Sequence, residues 1–223
     1  MCIRDRPNTR LVLAVSLDGR LAPPQGGAAQ IGGRGDRRVL EEALAWADAA
    51  LLGAETLRRH GTTCLIHREE LLAGRAAAGR PPQPLALVAS RSGRIPAALP
   101  FFRQPLERWL LAPPAPVATA AELGFQRGVE FNGWPQALRE LAALGIERLV
   151  VLGGAAIAGA LLAEGLLDEL QLTVCPRLLG GPHSWLPPGV ALEASHWQLL
   201  EQRPLEGDEL LLRYGAVASG AAG

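Results

Sequence analysis

Residues 148–157 read Arg-Leu-Val-Val-Leu-Gly-Gly-Ala-Ala-Ile. The run Arg148 to Leu152 is short and apolar, as a strand buried on both faces of a parallel sheet must be. Gly153 and Gly154 end it, and Ala155 to Glu164 reads as a helix. Strand, glycine pair and helix within one short stretch is the unit of an α/β fold.

The same alternation extends in both directions. Leu11 to Ser16 reads as a buried strand, Asp18-Gly19 turns the chain, and Pro23 to Gly35 is a Gly-rich loop. Asp36 reads as the N-cap of a helix from Arg37 to Ala47, with Val39, Leu40, Ala43, Leu44 and Ala47 on one face. Ala49 to Leu52 is a short strand ending at Gly53-Ala54, a short helix starts over Thr56 to Arg59, and Glu69 to Ala78 forms another. Leu85 to Ala89 and Trp109 to Ala112 are strands, with Pro113 to Pro116 as a surface connection after the second. Pro135 opens a helix to about Leu144.

Beyond the opening stretch, Leu170 to Cys175 is a strand. Trp197 to Gln202 and Leu210 to Tyr214 form a hairpin around Glu206-Gly207-Asp208. Cys175 and Trp197 read as core residues, and Asp168 as a partner for backbone groups at a strand start. The pattern predicts an α/β fold, a mainly parallel sheet with a C-terminal antiparallel hairpin. A single domain is expected over residues 10–215, with 1–9 a disordered extension and 216–223 a loose tail.

Composition narrows the function. With 223 residues, 48% of them apolar, the chain can bury one ample core. Zero net charge and the lack of a basic run argue against nucleic acid or an anionic membrane surface as partner. All 22 cationic residues are Arg, which excludes Schiff-base and P-loop lysine chemistry. Cys2, Cys64 and Cys175 form no CxxC pair, so a reduced, cytoplasmic setting is expected. The four histidines have no zinc-ligand spacing, so no metal is expected, and no apolar run approaches the ~20 residues of a membrane span.

Ligands of open α/β sheets bind beyond the carboxyl ends of the strands. Three segments leave such ends: Ser16 to Ala22, Gly53-Ala54-Glu55-Thr56, and Val150 to Ile157. Taken singly, the first is equally a tight turn, Thr56 equally a helix cap, and Gly153-Gly154 equally a close strand–helix connection. A helix start also concentrates N–H donors and positive dipole, which suits a pyrophosphate. The glycine spacing is not GxGxxG, so an ordinary dinucleotide fingerprint is excluded. Ser90-Arg91 pairs a hydroxyl with a guanidinium, which suits the 2′-phosphate of NADPH as well as a solvated loop. Strand ends rich in glycine and poor in acid–base groups suit redox chemistry that a cofactor supplies.

Four ordered blocks carry a resemblance. They are Leu13 to Ala22, Asp48 to Leu57, Val151-Leu152-Gly153-Gly154 with Gly165 to Leu170, and Cys175 to Gly181. Together they resemble the riboflavin-pathway reductases, the RibD C-terminal domain. The resemblance implies a dihydrofolate-reductase-like three-layer α/β/α sandwich, NADPH as hydride donor, a small-molecule substrate and a homodimer. It implies reduction of the ribose of a phosphoribosylaminopyrimidine, such as 5-amino-6-(5-phosphoribosylamino)uracil, to a ribityl chain. Under it Ala14, Ser16, Asp18 and Gly19 border the nicotinamide. Gly53, Thr56 and the turn Gly153, Gly154, Ala155, Ala156 and Ile157 hold the cofactor, and Ser90 and Arg91 lie at its adenosine end. Arg68 is implied to bind the substrate phosphate. No residue is singled out as catalytic proton donor.

The chain departs from the family pattern on the substrate side. Many members carry an acidic residue, which helps hold the substrate, where this chain has Leu152. The stretch Arg58 to Arg68 keeps only its final arginine, and a Ser and a Trp are replaced around Ala28 to Gln30. The zinc deaminase half of the bifunctional enzymes is missing from this sequence. Two alternatives remain at this stage: an NADPH reductase of another carbonyl, imine or pterin-like compound, and a non-catalytic dimeric nucleotide-binding protein.

Overall fold

A computed structural model describes residues 5–27, 30–192 and 195–217. Of the ends expected to be loose, 1–9 and 216–223, residues 1–4 and 218–223 lie outside them, as do Ala28 and Ala29 of the loop before the first helix, whereas Asn8 and Thr9 belong to the first strand and Ala216 to the last. The chain forms two compact units: Glu41–Leu152 with the chain up to Asn8, and Thr9–Leu40 with the chain from Gly153 onward.

The first unit is a parallel α/β array. Its strands are β2 (Ala49–Gly53), β3 (Leu85–Ala89), β4 (Arg108–Ala112), β5 (Arg127–Glu130) and β6 (Arg148–Val151), in the order β5-β4-β3-β2-β6. Leu52, Val88 and Leu110 share one face through the register Leu52↔Val88↔Leu110, and join a core with Leu57, Phe101 and Phe125. Leu51, Leu87 and Trp109, in register on the opposite face, are buried as well. A sheet apolar on both faces needs cover on both, which is why helices alternate with these strands. They are α2 (Ala54–His60), α3 (Glu69–Ala77), α4 (Pro114–Ala118) and α5 (Trp134–Ala143). The segment expected to be only a connection, Pro113 to Pro116, instead starts α4, with proline at its first helical position.

Buried polar groups fix the lower edge of this unit. Asp48 accepts from the Glu147 and Arg148 N–H groups at 3.1 and 2.8 Å and pairs with Arg80 at 2.9 Å. Arg75, 3% exposed, donates to the carbonyls of Leu44, Ala45, Ala47 and Pro81. It satisfies orphan carbonyls at the end of α1 (Arg34–Trp46), whose last turn carries no basic residue of its own.

The second unit holds β1 (Asn8–Ser16, from Thr9), β7 (Glu169–Cys175), β8 (Trp197–Pro204) and β9 (Leu210–Ala216), in the order β1-β7-β9-β8. β1 and β7 are parallel over Arg10↔Glu169 to Ser16↔Cys175, and β8 and β9 form the antiparallel hairpin. α6 (Ala155–Ala163) and the first half of α1 complete it. β1 begins at Asn8, ahead of the apolar run, because hydrogen bonds hold its start: the Thr9 N–H donates to the Asp168 carboxylate at 2.8 Å. Asp168 thus takes the backbone role expected of it. Cys175 is fully buried as expected, but Trp197 is only half-buried, since β8 is an edge strand with Leu199 and Leu200 nearly half exposed. Helices among the described residues are all too short to cross a membrane.

Candidate active site

In the second unit, β1 delivers Ser16 to a turn closed on itself. The Ser16 hydroxyl donates to Asp18 at 2.6 Å and accepts the Arg20 N–H at 2.9 Å, while the Gly19 N–H returns to the Ser16 carbonyl. Asp18 also accepts from the Leu179 and Gly180 N–H groups at 3.1 and 2.7 Å, and the Leu17 N–H donates to the Arg177 carbonyl. The Asp18 carboxyl therefore lies well below the usual carboxylate range, first through Ser16 and then through these backbone donors. Ser16 and Asp18 are committed to holding two loops together. Ala14 lies half-buried two residues before Ser16 on β1, opposite Thr173.

Gly153 has φ +96, a conformation that disfavours any residue with a Cβ, and its bond to Gly154 is cis. Gly154 is the N-cap of α6, and no side chain caps that helix. Ala155, Ala156 and Ile157 form the first turn; Ile157 N–H returns to the Gly154 carbonyl at 3.0 Å. An uncapped helix start after a glycine pair leaves N–H donors for an anion.

In the first unit, β2 ends at Gly53, which is the N-cap of α2. Thr56 is therefore the third residue of the helix and not its cap, which corrects one of its two sequence-based roles. Glu55 holds Arg58 and Arg59 at 2.8 and 3.0 Å, and those bonds, that to Arg58 first, lower its carboxyl pKa. Ser90 is buried, its hydroxyl accepting the Gly93 N–H at 3.1 Å, whereas Arg91 is exposed. Leu152 follows β6 directly, its N–H bound to the Leu51 carbonyl. Arg68 is the N-cap residue of α3; the buried Glu41 carboxylate accepts its N–H at 3.0 Å, and its guanidinium lies 3.3 Å from Glu70.

The sequence does not announce the second unit's buried carboxylates. Asp36 is the third residue of α1, not its N-cap. The cap comes from the residue just before β9: Glu209, 5% exposed, accepts the Asp36 N–H at 2.7 Å and the Gly33 N–H. Negative charge at a helix N-terminus is stabilising, so Asp36 is freed to face Thr173. Burial raises the Asp36 carboxyl pKa, and the nearby Glu209 charge adds to this. The Cys175 thiol, 3.7 Å from Glu209, is pushed up to about 12, first by burial and then by the two carboxylates. Glu209 also lines a cavity of about 260 Å3 with Ile31, Gly33, Arg34, Pro176 and Arg177. The only sequence sign is the acidic crowding of Glu206, Asp208 and Glu209 in one hairpin turn. Among the described residues no three His, Cys, Asp or Glu side chains gather as a metal site.

Three comparisons place these elements among known proteins. A 2,5-diamino-6-ribosylamino-4(3H)-pyrimidinone 5′-phosphate reductase of Methanothermobacter thermautotrophicus is 27% identical over 182 residues, covering 79% of this chain and 81% of the relative. Acinetobacter baumannii RibD superposes with a TM-score of 0.79 at 24% identity, over 96% of this chain and 59% of that one. A dihydrofolate reductase of Enterococcus faecalis, complexed with NADP(H), superposes with a TM-score of 0.54 at 13% identity, over 93% and 95% of the chains, so the fold is dihydrofolate-reductase-like. The model of the RibD C-terminal domain matches residues 7–210, and the chain belongs to that family.

Proposed function

We propose that the protein is an NADPH-dependent reductase that converts the ribosyl group of a phosphoribosylaminopyrimidine into a ribityl chain. The observation that carries this reading is the uncapped start of α6 directly after Gly153-Gly154, in a chain of this family. Those N–H donors fit a pyrophosphate, and the exposed Arg91 beside buried Ser90 fits a 2′-phosphate. Bound NADPH supplies a hydride for C1 of the opened sugar, and one proton is taken up in the same reaction. Ser16, Asp18 and Gly19 keep the nicotinamide-bordering turn rigid, and Gly53 and Thr56 belong to the cofactor contacts. Arg68 meets the substrate phosphate. Homodimer formation and a cytoplasmic location belong to the same proposal.

Leu152, where many members have a carboxylate, favours a second reading: a reductase of another carbonyl, imine or pterin-like compound. Product analysis decides between them. Incubation with NADPH deuterated at C4 and each of the two pyrimidine phosphates, the diaminopyrimidinone and the aminouracil, should yield a ribityl product labelled at C1. Recovery of both pyrimidines unreduced would favour the second reading.

A further inference from the structure

The turn after β3 carries Ser90 and Arg91, and it is fastened from outside as well as from within. Within it, the buried Ser90 hydroxyl accepts the Gly93 N–H at 3.1 Å, and the Ser90 N–H reaches the Leu111 carbonyl of β4. Gly93, at φ +66, packs on α4, where a Cβ would lie 2.8 Å from Pro116. From outside, Arg58 of α2 donates through Nη1 to the Arg94 carbonyl at 2.8 Å. The same guanidinium gives Nε and Nη2 to one Glu55 oxygen, at 3.2 and 2.8 Å, and Arg59 donates to the other oxygen at 3.0 Å.

The pair Glu55–Arg58 spans one helical turn and is exposed, so by itself it contributes little to stability. The bond to Arg94 is different, because it joins α2 to a turn 36 positions further along the chain. A planar guanidinium can hold a carboxylate on one edge and a carbonyl on another at once, which the point charge of an ammonium cannot. Arg58 thus ties the helix turn that holds Thr56 to the turn that displays Arg91 and Arg94. Both of these guanidinium groups are exposed, with no acidic partner among the described residues. The Glu55 carboxylate, which alone would repel a phosphate, is covered at both oxygens by arginines.

We propose that Arg58, held by Glu55, is a positioning residue for cofactor selection: it fixes the 90–94 turn so that Arg91 meets the 2′-phosphate of NADPH. A turn left loose must be ordered when the phosphate binds, and that ordering weakens binding. NADH carries no such phosphate and draws nothing from the turn. The inference rests on the NADPH reading and adds to it a residue that acts through Arg91 without touching the cofactor.

The test is equilibrium titration of NADPH and NADH with the wild type, Arg58→Ala, Arg58→Lys, Arg91→Ala and the double variant Arg58→Ala/Arg91→Ala. The quantity read is the ratio of the NADH Kd to the NADPH Kd, because general damage to the fold weakens both cofactors alike. Arg58→Ala should lower this ratio by about three- to tenfold, the size of ordering one or two side chains. Arg58→Lys keeps the charge but loses the fork, so it should recover that loss in part at most. In the Arg91→Ala background Arg58→Ala should lower the ratio no further. A ratio unmoved by Arg58→Ala overturns the inference, as does full recovery in Arg58→Lys, which would leave only a charge effect. An equal loss in both backgrounds overturns it too, since Arg58 would then meet the phosphate itself. In all three cases a wild type that prefers NADPH leaves the NADPH reading standing. A wild type without that preference defeats both.

Discussion

Replacing Gly153 with Ala isolates what the glycine pair contributes. A Cβ at Gly153 would lie 3.4 Å from Leu13 Cδ2, an ordinary contact, so no steric clash drives the outcome. The backbone does: φ is +96, and holding a residue with a Cβ in positive-φ space costs about 1–2 kcal/mol. For a chain of this length about 1 kcal/mol moves Tm by about 2–4 °C, so a fall of about 2–8 °C is expected. Relief of that strain would tilt the turn that starts α6, so NADPH affinity should fall as well. Gly74→Ala is the internal contrast. Gly74 is an exposed residue within α3, with nothing near its would-be Cβ. The same substitution there should raise stability by about 0.5–1 kcal/mol. Thermal unfolding and NADPH titration of both variants provide the assay. Equal Tm shifts in the two variants, or a Gly153→Ala protein with wild-type stability and affinity, would refute the reasoning.

Three other outcomes are expected. Arg91→Ala should narrow the preference for NADPH over NADH by about tenfold or more, measured as the ratio of kcat/KM values; an unchanged ratio removes the guanidinium from the 2′-phosphate. Asp36 has a pKa raised in the folded state, so the native protein keeps a proton that the unfolded chain releases near pH 3.9. Its favourable contribution is full below that pH and lost as pH rises through the folded value, and Asp36→Asn should flatten this part of the Tm–pH curve. At pH 8 a thiol reagent should label exposed Cys64 and spare Cys175, whose pKa is about 12; labelling of both in the native protein, seen by peptide mass, would contradict the buried thiol.

The strands buried on both faces were legible because their apolar runs are uninterrupted, and β3 over Leu85–Ala89 matches its sequence pattern residue for residue. β5 was not legible: Arg127–Glu130 is a four-residue edge strand with a glycine, and only Val129 is buried. Its place comes from main-chain pairing with β4, which leaves no periodic mark. The start of α1 leaves no local mark in the sequence, because its cap is not a neighbouring residue. Glu209 supplies it from 173 positions away, and Gly35 sits in the first turn because a Cβ there would lie 2.6 Å from Leu205. The family blocks located the glycine turns and the Ser16–Gly19 segment. They could not reveal that Asp18 pins the 179–180 backbone, or that Glu209 holds the Gly33 and Asp36 N–H groups, since both depend on contacts between distant segments.

The central claim is most directly tested by following the absorbance of NADPH with 2,5-diamino-6-ribosylamino-4(3H)-pyrimidinone 5′-phosphate and, separately, 5-amino-6-(5-phosphoribosylamino)uracil. The account predicts enzyme-dependent loss of absorbance with at least one of them, stoichiometric with ribityl product. Tight NADPH binding without oxidation in the presence of either compound would contradict it.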